Sequence, residues 1–494
     1  MSFTRRISSR KSKFKQRIEL GTQKDKRFDI SVQISKAKKD KILSSKREEM
    51  EQRKYFQKSQ LLYEEKIFAD LQNLSSIIKD LENGDPYRQF KALGRVRRML
   101  SLTLFKPPVA EIFQSQALSV ILGFLKSNQK YYQFEAIGCI MYILRNGENL
   151  APQLVHLGVI DDLCQIAMQR NNDNNFENAR EALQALEIFA QQNIEIRDFL
   201  INKEVIPIVL DFVDRSKHYY LLSVIAALCQ GNPTPKHQTI DSFLKLIPDL
   251  IALNIDTATQ KILTSLCYLA TGDYETRLKL EELPIVEQLR GFLSSDNFLI
   301  KTRALRYLSD MISENTQMTY ELLNLGLIEV LQEILHSQVE EEEEFSSIIL
   351  LKLTTIPKIQ EENIIFELVI CCLDSWFFNV KKNGLLAAQN LINFPNFLLR
   401  IIDLGSLKVL SGSLSEKDPQ SISIIVQLIL SILKISEELQ NVDELKKFFD
   451  LFEEAQVFDQ IQKILLSTNE EIKKICQEIL DLLLKIEDFL GQNL

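Results

Sequence analysis

Gly158-Val159-Ile160-Asp161, Glu204-Val205-Ile206-Pro207, Pro284-Ile285-Val286-Glu287, Gly326-Leu327-Ile328-Glu329 and Gly405-Ser406-Leu407-Lys408 are five versions of one signal. Each puts a small or helix-ending residue ahead of a short apolar step, a polar residue and a further apolar run. Successive marks lie 46, 80, 42 and 79 residues apart. The two long gaps therefore read as double periods of about 40 residues, the first with a weaker mark at Ile247-Pro248. Between marks, apolar residues recur at i, i+3, i+4 and i+7, as in Ile262, Leu263, Leu266 and Leu269, which gives each helix one apolar stripe. A fixed period of this length, with only helical patterning inside it, predicts an all-α stack of helical repeats.

The composition agrees. A chain of 494 residues is better filled by one array of about ten repeats than by several globular domains. With Gly at 15 and Pro at 12, the turns of a β-rich protein are not supplied, so the expected architecture is an armadillo or HEAT solenoid. The seven cysteines, Cys139, Cys164, Cys229, Cys267, Cys371, Cys372 and Cys476, sit in apolar helical runs without C-x-x-C spacing, as reduced core thiols of an intracellular protein would. No apolar run approaches a membrane span, and the N-terminus has no apolar signal segment; no membrane association is expected.

The net charge of −8 hides a division. Residues 1–54 hold 18 Lys and Arg against 7 Asp and Glu, a local +11, and the rest of the chain holds −19. Residues 1–55 lack the apolar content for a core and are expected to be disordered alone, with Phe28 to Lys46 able to fold as one helix on binding. A charged linker follows, within 56–67, and the repeat array is expected over 68–490, opening on the basic helix Gln89 to Leu100. Asn171 to Asn175 reads as a loop between repeats. Glu340 to Glu344, five consecutive glutamates, reads as a solvated loop or helix start, with a site for a basic ligand as the competing reading.

No motif for catalysis is present: no phosphate loop, no GxGxxG after a strand, no HExxH and no GxSxG. The four histidines, His156, His218, His237 and His336, are scattered, so neither a metal site nor a cofactor is expected, and the chain is not expected to be an enzyme.

The arm carries more specific strings. RKSKFK (Arg10 to Lys15) and KRFDISVQISKAKKDKILSSKRE (Lys26 to Glu48) together resemble the importin-β-binding segment of importin-α, with Val32, Ile34 and Lys36-Ala37-Lys38-Lys39-Asp40 at its core. The body resembles the same family from about residue 5 to 488. QFKALGRVRRMLS (Gln89 to Ser101) with FKPPVAEI (Phe105 to Ile112) is similar to its first repeat, and LCQGNPTP (Leu228 to Pro235) to its third-repeat turn. YLATGD (Tyr268 to Asp273) and ALRYLSDMIS (Ala304 to Ser313) are similar to its fourth and fifth, and EEIKKICQEILDLLL (Glu470 to Leu484) to its tenth. The resemblance implies a right-handed superhelical armadillo-repeat solenoid preceded by a basic arm.

It also implies how such a protein holds cargo. In the family, the third helix of each repeat carries a Trp and, four residues on, an Asn; the Asn bonds the cargo main chain, and the indoles form slots for Lys and Arg stems. At the matching positions this chain has Gly138/Tyr142, Gln184/Ile188, Ser223/Ala227, Thr264/Tyr268, Arg306/Asp310, Leu351/Thr355, Leu386/Asn390 and Gln427/Ser431. Tyr268, Arg306 and Asn390 keep the family's residue types, and Asp310 completes the residual cargo groove, while Gln192 stands where an acidic residue would grip a cargo lysine. Trp376, the only tryptophan, lies outside the ladder and is expected to pack at a repeat junction. The arm's mimic of cargo is weakened as well, Ser45-Lys46-Arg47 being followed by Glu48 and Glu49.

The resemblance therefore implies a nuclear import adaptor, shuttling between cytoplasm and nucleus. Arg10, Lys13, Lys15, Arg27, Lys36, Lys38, Lys39, Lys46 and Arg47 would pair with carboxylates of an importin-β-type carrier, with Phe14 and Ile34 as apolar anchors. Partners implied are that carrier, a nuclear cargo protein with a non-standard signal, and an export receptor; nucleic acid is the competing partner for the basic arm. The alternative from another class is a non-transporting scaffold or regulator that binds importin-β or another helical partner.

Overall fold

A computed structural model describes residues 69–101, 107–169, 176–313, 316–360, 362–414, 418–437, 442–465 and 470–493. The basic arm, the charged linker and the Asn171 to Asn175 loop lie outside the described residues. Within those residues the chain is all-α, with no strand, and no helix is long and apolar enough to cross a membrane. The described residues form two compact units, one up to residue 127 and one from residue 128 on.

In the first unit, helix formation over Pro86–Leu100 starts from Asp85, whose carboxylate accepts the Tyr87 N–H at 3.1 Å, with Pro86 pre-set for the first turn. Leu93, Val96, Met99 and Leu100 form its buried stripe. Arg95 and Arg98 leave that stripe to reach Asp70 at 2.6 and 3.6 Å. The basic character expected of this helix is thus spent partly inside the unit.

In the second unit nine helices stack in succession, most of them long: α1 (Lys130–Asn146), α2 (Phe176–Ala190), α3 (Leu222–Cys229), α4 (Asp256–Ala270), α5 (Phe298–Met311), α6 (Glu340–Leu353), α7 (Phe378–Asn390), α8 (Pro419–Glu437) and α9 (Glu470–Asn493). Each packs against the next. One or two shorter helices precede most of them, such as Gln317–Asn324 and Leu327–Ile334 ahead of α6. Most helices carry an apolar stripe that none buries alone, α3 is buried nearly all round, and stacking joins these surfaces into one core. In α4, Ile262, Leu263, Leu266 and Leu269 are all fully buried. Between α1 and α2 the buried Asn178 amide donates to the Lys130 carbonyl at 3.0 Å and to Gln133 Oε1 at 2.9 Å. The result is an armadillo-like solenoid.

The recurring marks have a backbone cause. Gly158, Glu204, Gly326 and Gly405 have φ of 79°, 58°, 79° and 73°, the left-handed turn that ends one helix and aims the next. Gln456, at φ 54°, does the same before Val457–Ile464, a turn outside the five marks read from the sequence. The weaker mark at Ile247-Pro248 is corrected: Pro248 lies inside a continuous helix, His237–Ala252. An interior proline costs about 3 kcal/mol. Here Ile240, Phe243, Leu244, Ile247 and Ile251 stay in phase across it, and this buried stripe holds the helix together.

The cysteines are free thiols, all buried except the half-buried Cys371. Burial pushes the thiols of Cys164 and Cys476 up to about 11 and those of Cys229 and Cys267 to about 12, which leaves them protonated and unreactive.

Candidate functional site

The positions matched to the ladder fall on α1 to α8 except Thr355, which lies in the turn just past the end of α6; the members of each other pair, four residues apart, share one helix face. Gly138, Ile188 and Ala227 are buried, Arg306 and Thr355 are exposed, and the rest are half-buried. Several polar members have taken partners within the chain. Ser223 donates its hydroxyl to Glu187 Oε2 at 2.7 Å, Thr264 to the Gln260 carbonyl at 2.7 Å, and Asn390 Nδ2 to Thr354 Oγ1 at 3.0 Å. The partners of Ser223 and Asn390 lie on the preceding long helix, 36 residues earlier, a bond that one repeat in isolation does not form.

Asp310 occupies the middle of the expected residual groove. It is half-buried. Its main-chain carbonyl accepts from Arg277 at 3.0 Å and from Lys352 at 3.3 Å. Burial raises the Asp310 carboxyl above its ordinary value, opposed by Lys352, Arg306 and Arg277. Burial likewise lowers Lys352, opposed by Asp310. Arg277 and Lys352 are thus held at the Asp310 main chain, and burial outweighs the pull of the three cations on its carboxyl.

The structure places the open chemistry elsewhere on the ladder. A cleft of about 800 Å³ runs beside the end of α1 and the face of α2, lined by Arg145, Glu148, Gln184, Glu187, Gln191 and Gln192 among others. Gln192, where a carboxylate was expected, is exposed and bonds the Ile188 carbonyl at 3.3 Å. Glu148 and Glu187 put two carboxylates into the same cleft. Sequence reasoning passed over both, because it read only the ladder positions. Glu187 was findable, since it lies three residues from Gln184 and so on the same face.

The glutamate run is also resolved. Glu340 to Glu343 form the first turn of α6, where negative charge suits the helix dipole. Glu340 and Glu341 are exposed, but Glu342 and Glu343 are buried, which corrects the solvated reading for that half of the run. Lys301 Nζ lies 3.6 Å from Glu342, and Asn379 Nδ2 donates to Glu344 at 2.9 Å. Trp376 does not pack at its junction. It is 98% exposed, in the turn between Asn363–Leu373 and α7. Among the described residues no three of His, Cys, Asp and Glu gather to hold a metal ion.

With the repeat stack and its ladder described, comparison with known proteins becomes informative. No family model matches the chain. Importin subunit alpha-2 of Arabidopsis thaliana is 21% identical over 292 residues, covering 57% of this chain and 53% of that protein. Probable importin subunit alpha-A of Dictyostelium discoideum is 21% identical over 349 residues, covering 63% and 62%. The chain is similar to importin-α. It spans between half and two thirds of the length of these relatives. An engineered protein of known structure superimposes with a TM-score of 0.66 at 19% identity, covering 83% of this chain and 98% of that one, which supports the fold alone. At the positions matched to the importin-α ladder there is no tryptophan, and Ser223 and Asn390 bond within the chain.

Proposed function

We propose that the chain is a nuclear import adaptor of the importin-α kind. Residues 1–54 engage an importin-β-type carrier, and the ladder face holds a cargo protein through a non-standard signal. The reading is carried by one coincidence, a Lys36-Ala37-Lys38-Lys39-Asp40 arm joined to a repeat array similar to importin-α. The basic residues of the arm, from Arg10 to Arg47, pair with carrier carboxylates while Phe14 and Ile34 anchor it, and the array shuttles between cytoplasm and nucleus, leaving with an export receptor. Cargo contacts are of two kinds. In the α1–α2 cleft, Glu148 and Glu187 take the part of the missing acid near Gln192. From Tyr268 through Arg306 and Asp310 to Asn390, contacts are to cargo main chain and to cargo Arg or Lys, with Asn390 bonding the backbone and Asp310 pairing with the cation.

Titration of the full chain with a monopartite lysine-rich peptide tests the groove. Gly138, Gln184 and Ser223 stand where three indoles would stack, each worth about 0.5–2 kcal/mol. Affinity should therefore be about 10- to 10⁴-fold below that of an importin-α with a full ladder. Sub-micromolar binding at α1–α3 contradicts this. A second reading is favoured by the internal bonds of Ser223, Asn390 and Gln192: a scaffold that binds the carrier and moves no cargo. Asn390→Ala combined with Asp310→Lys separates the two, since an adaptor loses cargo while keeping the carrier, and a scaffold has no cargo to lose.

A further inference from the structure

Away from the ladder, the turn carrying Trp376 closes one side of a second cleft, of about 430 Å³, against the start of α6. Its walls are carbon and sulfur, from Trp376, Phe377, Leu335 and Cys371, and its charged members are Glu343 and Asp374. Trp376 is 98% exposed and the adjacent Phe378 is 51% exposed. A large indole gains nothing for folding when held in water, so its place on the surface needs another explanation.

The carboxylates indicate what covers it. Glu343 is only 5% exposed, yet both its partners are neutral: the Gln338 N–H donates to Oε1 at 2.8 Å, and Ser375 Oγ lies at a long 3.4 Å from Oε2. Asp374, exposed at the rim, has Ser406 Oγ at 3.4 Å. Lys381 acts on Asp374 only through space, its ammonium lying 3.5 Å from Ser413 Oγ. His336 adds no cation in its neutral form: Nδ1 donates to the Gln332 carbonyl at 2.7 Å, and Nε2 faces the Cys371 thiol at 3.7 Å. The exposed Glu340 and Glu341 lie close by at the start of α6.

We propose that this cleft binds an arginine of a partner protein, the guanidinium stacked on Trp376 and paired with Asp374 and Glu343, with its methylene stem along Phe377 and Leu335. Arginine fits better than lysine because a planar guanidinium stacks on an indole and bonds carboxylates side by side. Phosphate-bearing partners are repelled by the same carboxylates, and a purely apolar segment would bury them without a counter-charge. The site lies off the ladder and does not rest on the import reading.

Trp376 is the only tryptophan, so its emission reports this cleft directly in the full chain. The probe is a peptide of three Gly-Ser-Arg repeats, with its citrulline counterpart as the neutral isostere. The expected result is a saturable change in emission with the arginine peptide, weaker by about tenfold or more with citrulline, and weaker by several-fold in Asp374→Asn. Glu343→Gln should act likewise, and the exposed Asp374 keeps the test valid should the buried substitution disturb folding. An equal response to citrulline, or no saturable change, overturns the proposal. Emission that shifts with salt in the chain alone and ignores the peptide assigns the cleft to the chain's own residues 1–54 and also overturns it.

Discussion

Arg197 offers a sharp test of how successive repeats are tied together. It is 1% exposed and sits in the helix Ile194–Asn202. Nη1 donates to the main-chain carbonyls of Gln230 at 2.9 Å and Pro233 at 2.7 Å, while Nε and Nη2 donate to Asp198 Oδ1 at 2.9 and 2.7 Å. The guanidinium thus fastens the turn that follows α3. Each bond from the cation to a carbonyl contributes about 1.5–3 kcal/mol. The Asp198 pair adds less, about 1 kcal/mol at most, because that carboxylate is half exposed. Arg197→Ala should therefore destabilise by about 3–5 kcal/mol. Arg197→Lys, with one ammonium for two carbonyls and no planar fork, should lose about half of that. Since repeat arrays open piecewise, the assay is hydrogen exchange by mass spectrometry over residues 222–236, alongside urea unfolding followed by circular dichroism. Protection of that segment should fall by at least 100-fold in Arg197→Ala. A loss under about 1 kcal/mol, or exchange unchanged in this turn, would refute the reasoning.

Other consequences are simpler. Glu204 holds φ 58° where glycine is free to do so, so Glu204→Gly should stabilise by about 1 kcal/mol in urea unfolding, and a destabilised variant would contradict the turn assignment. Native chain treated with a thiol reagent at pH 8 should label Cys371 first. Cys164, Cys229, Cys267 and Cys476, with pKa values near 11 to 12, should react only on unfolding, and early labelling of Cys229 would count against a closed core. Burial raises the Asp310 carboxyl, so its protonated form favours the fold and its contribution is lost as pH rises through the folded pKa. Asp310→Asn should accordingly be more stable than wild type at pH 7 and equal to it below the carboxylate range, as pH-dependent melting would show.

How far the sequence could be read follows from what each feature depends on. The repeat marks were legible because a helix-ending residue precedes each apolar step, a left-handed glycine at three of the five, and the stripe in α4 because helical spacing alone puts Leu266 and Leu269 on one face. Pro248 misled for the same local reason: it looks like a stop, and only the stripe running through it shows that the helix continues. Trp376 was expected inside on its hydrophobicity, yet it occupies a turn, where no neighbouring helix covers it. At the candidate site, the internal partners of the expected ladder residues were not readable. Ser223 with Glu187 and Asn390 with Thr354 join residues 36 apart, and only the stacking of two repeats reveals that these groups are already engaged. Glu148 and Glu187 line the same cleft as Gln192, which position-by-position comparison does not reveal.

The most direct measurement is binding of an importin-β-type carrier to the full chain and to a chain lacking residues 1–54, by calorimetry at two salt concentrations. The arm supplies 18 of the chain's 59 basic residues, and the array is held by contacts between neighbouring repeats. The account predicts carrier binding by the full chain that weakens steeply with salt, and no binding after the deletion, with the helical signal of the array unchanged. Carrier binding that survives removal of residues 1–54, or a full chain that does not bind the carrier at all, would contradict it.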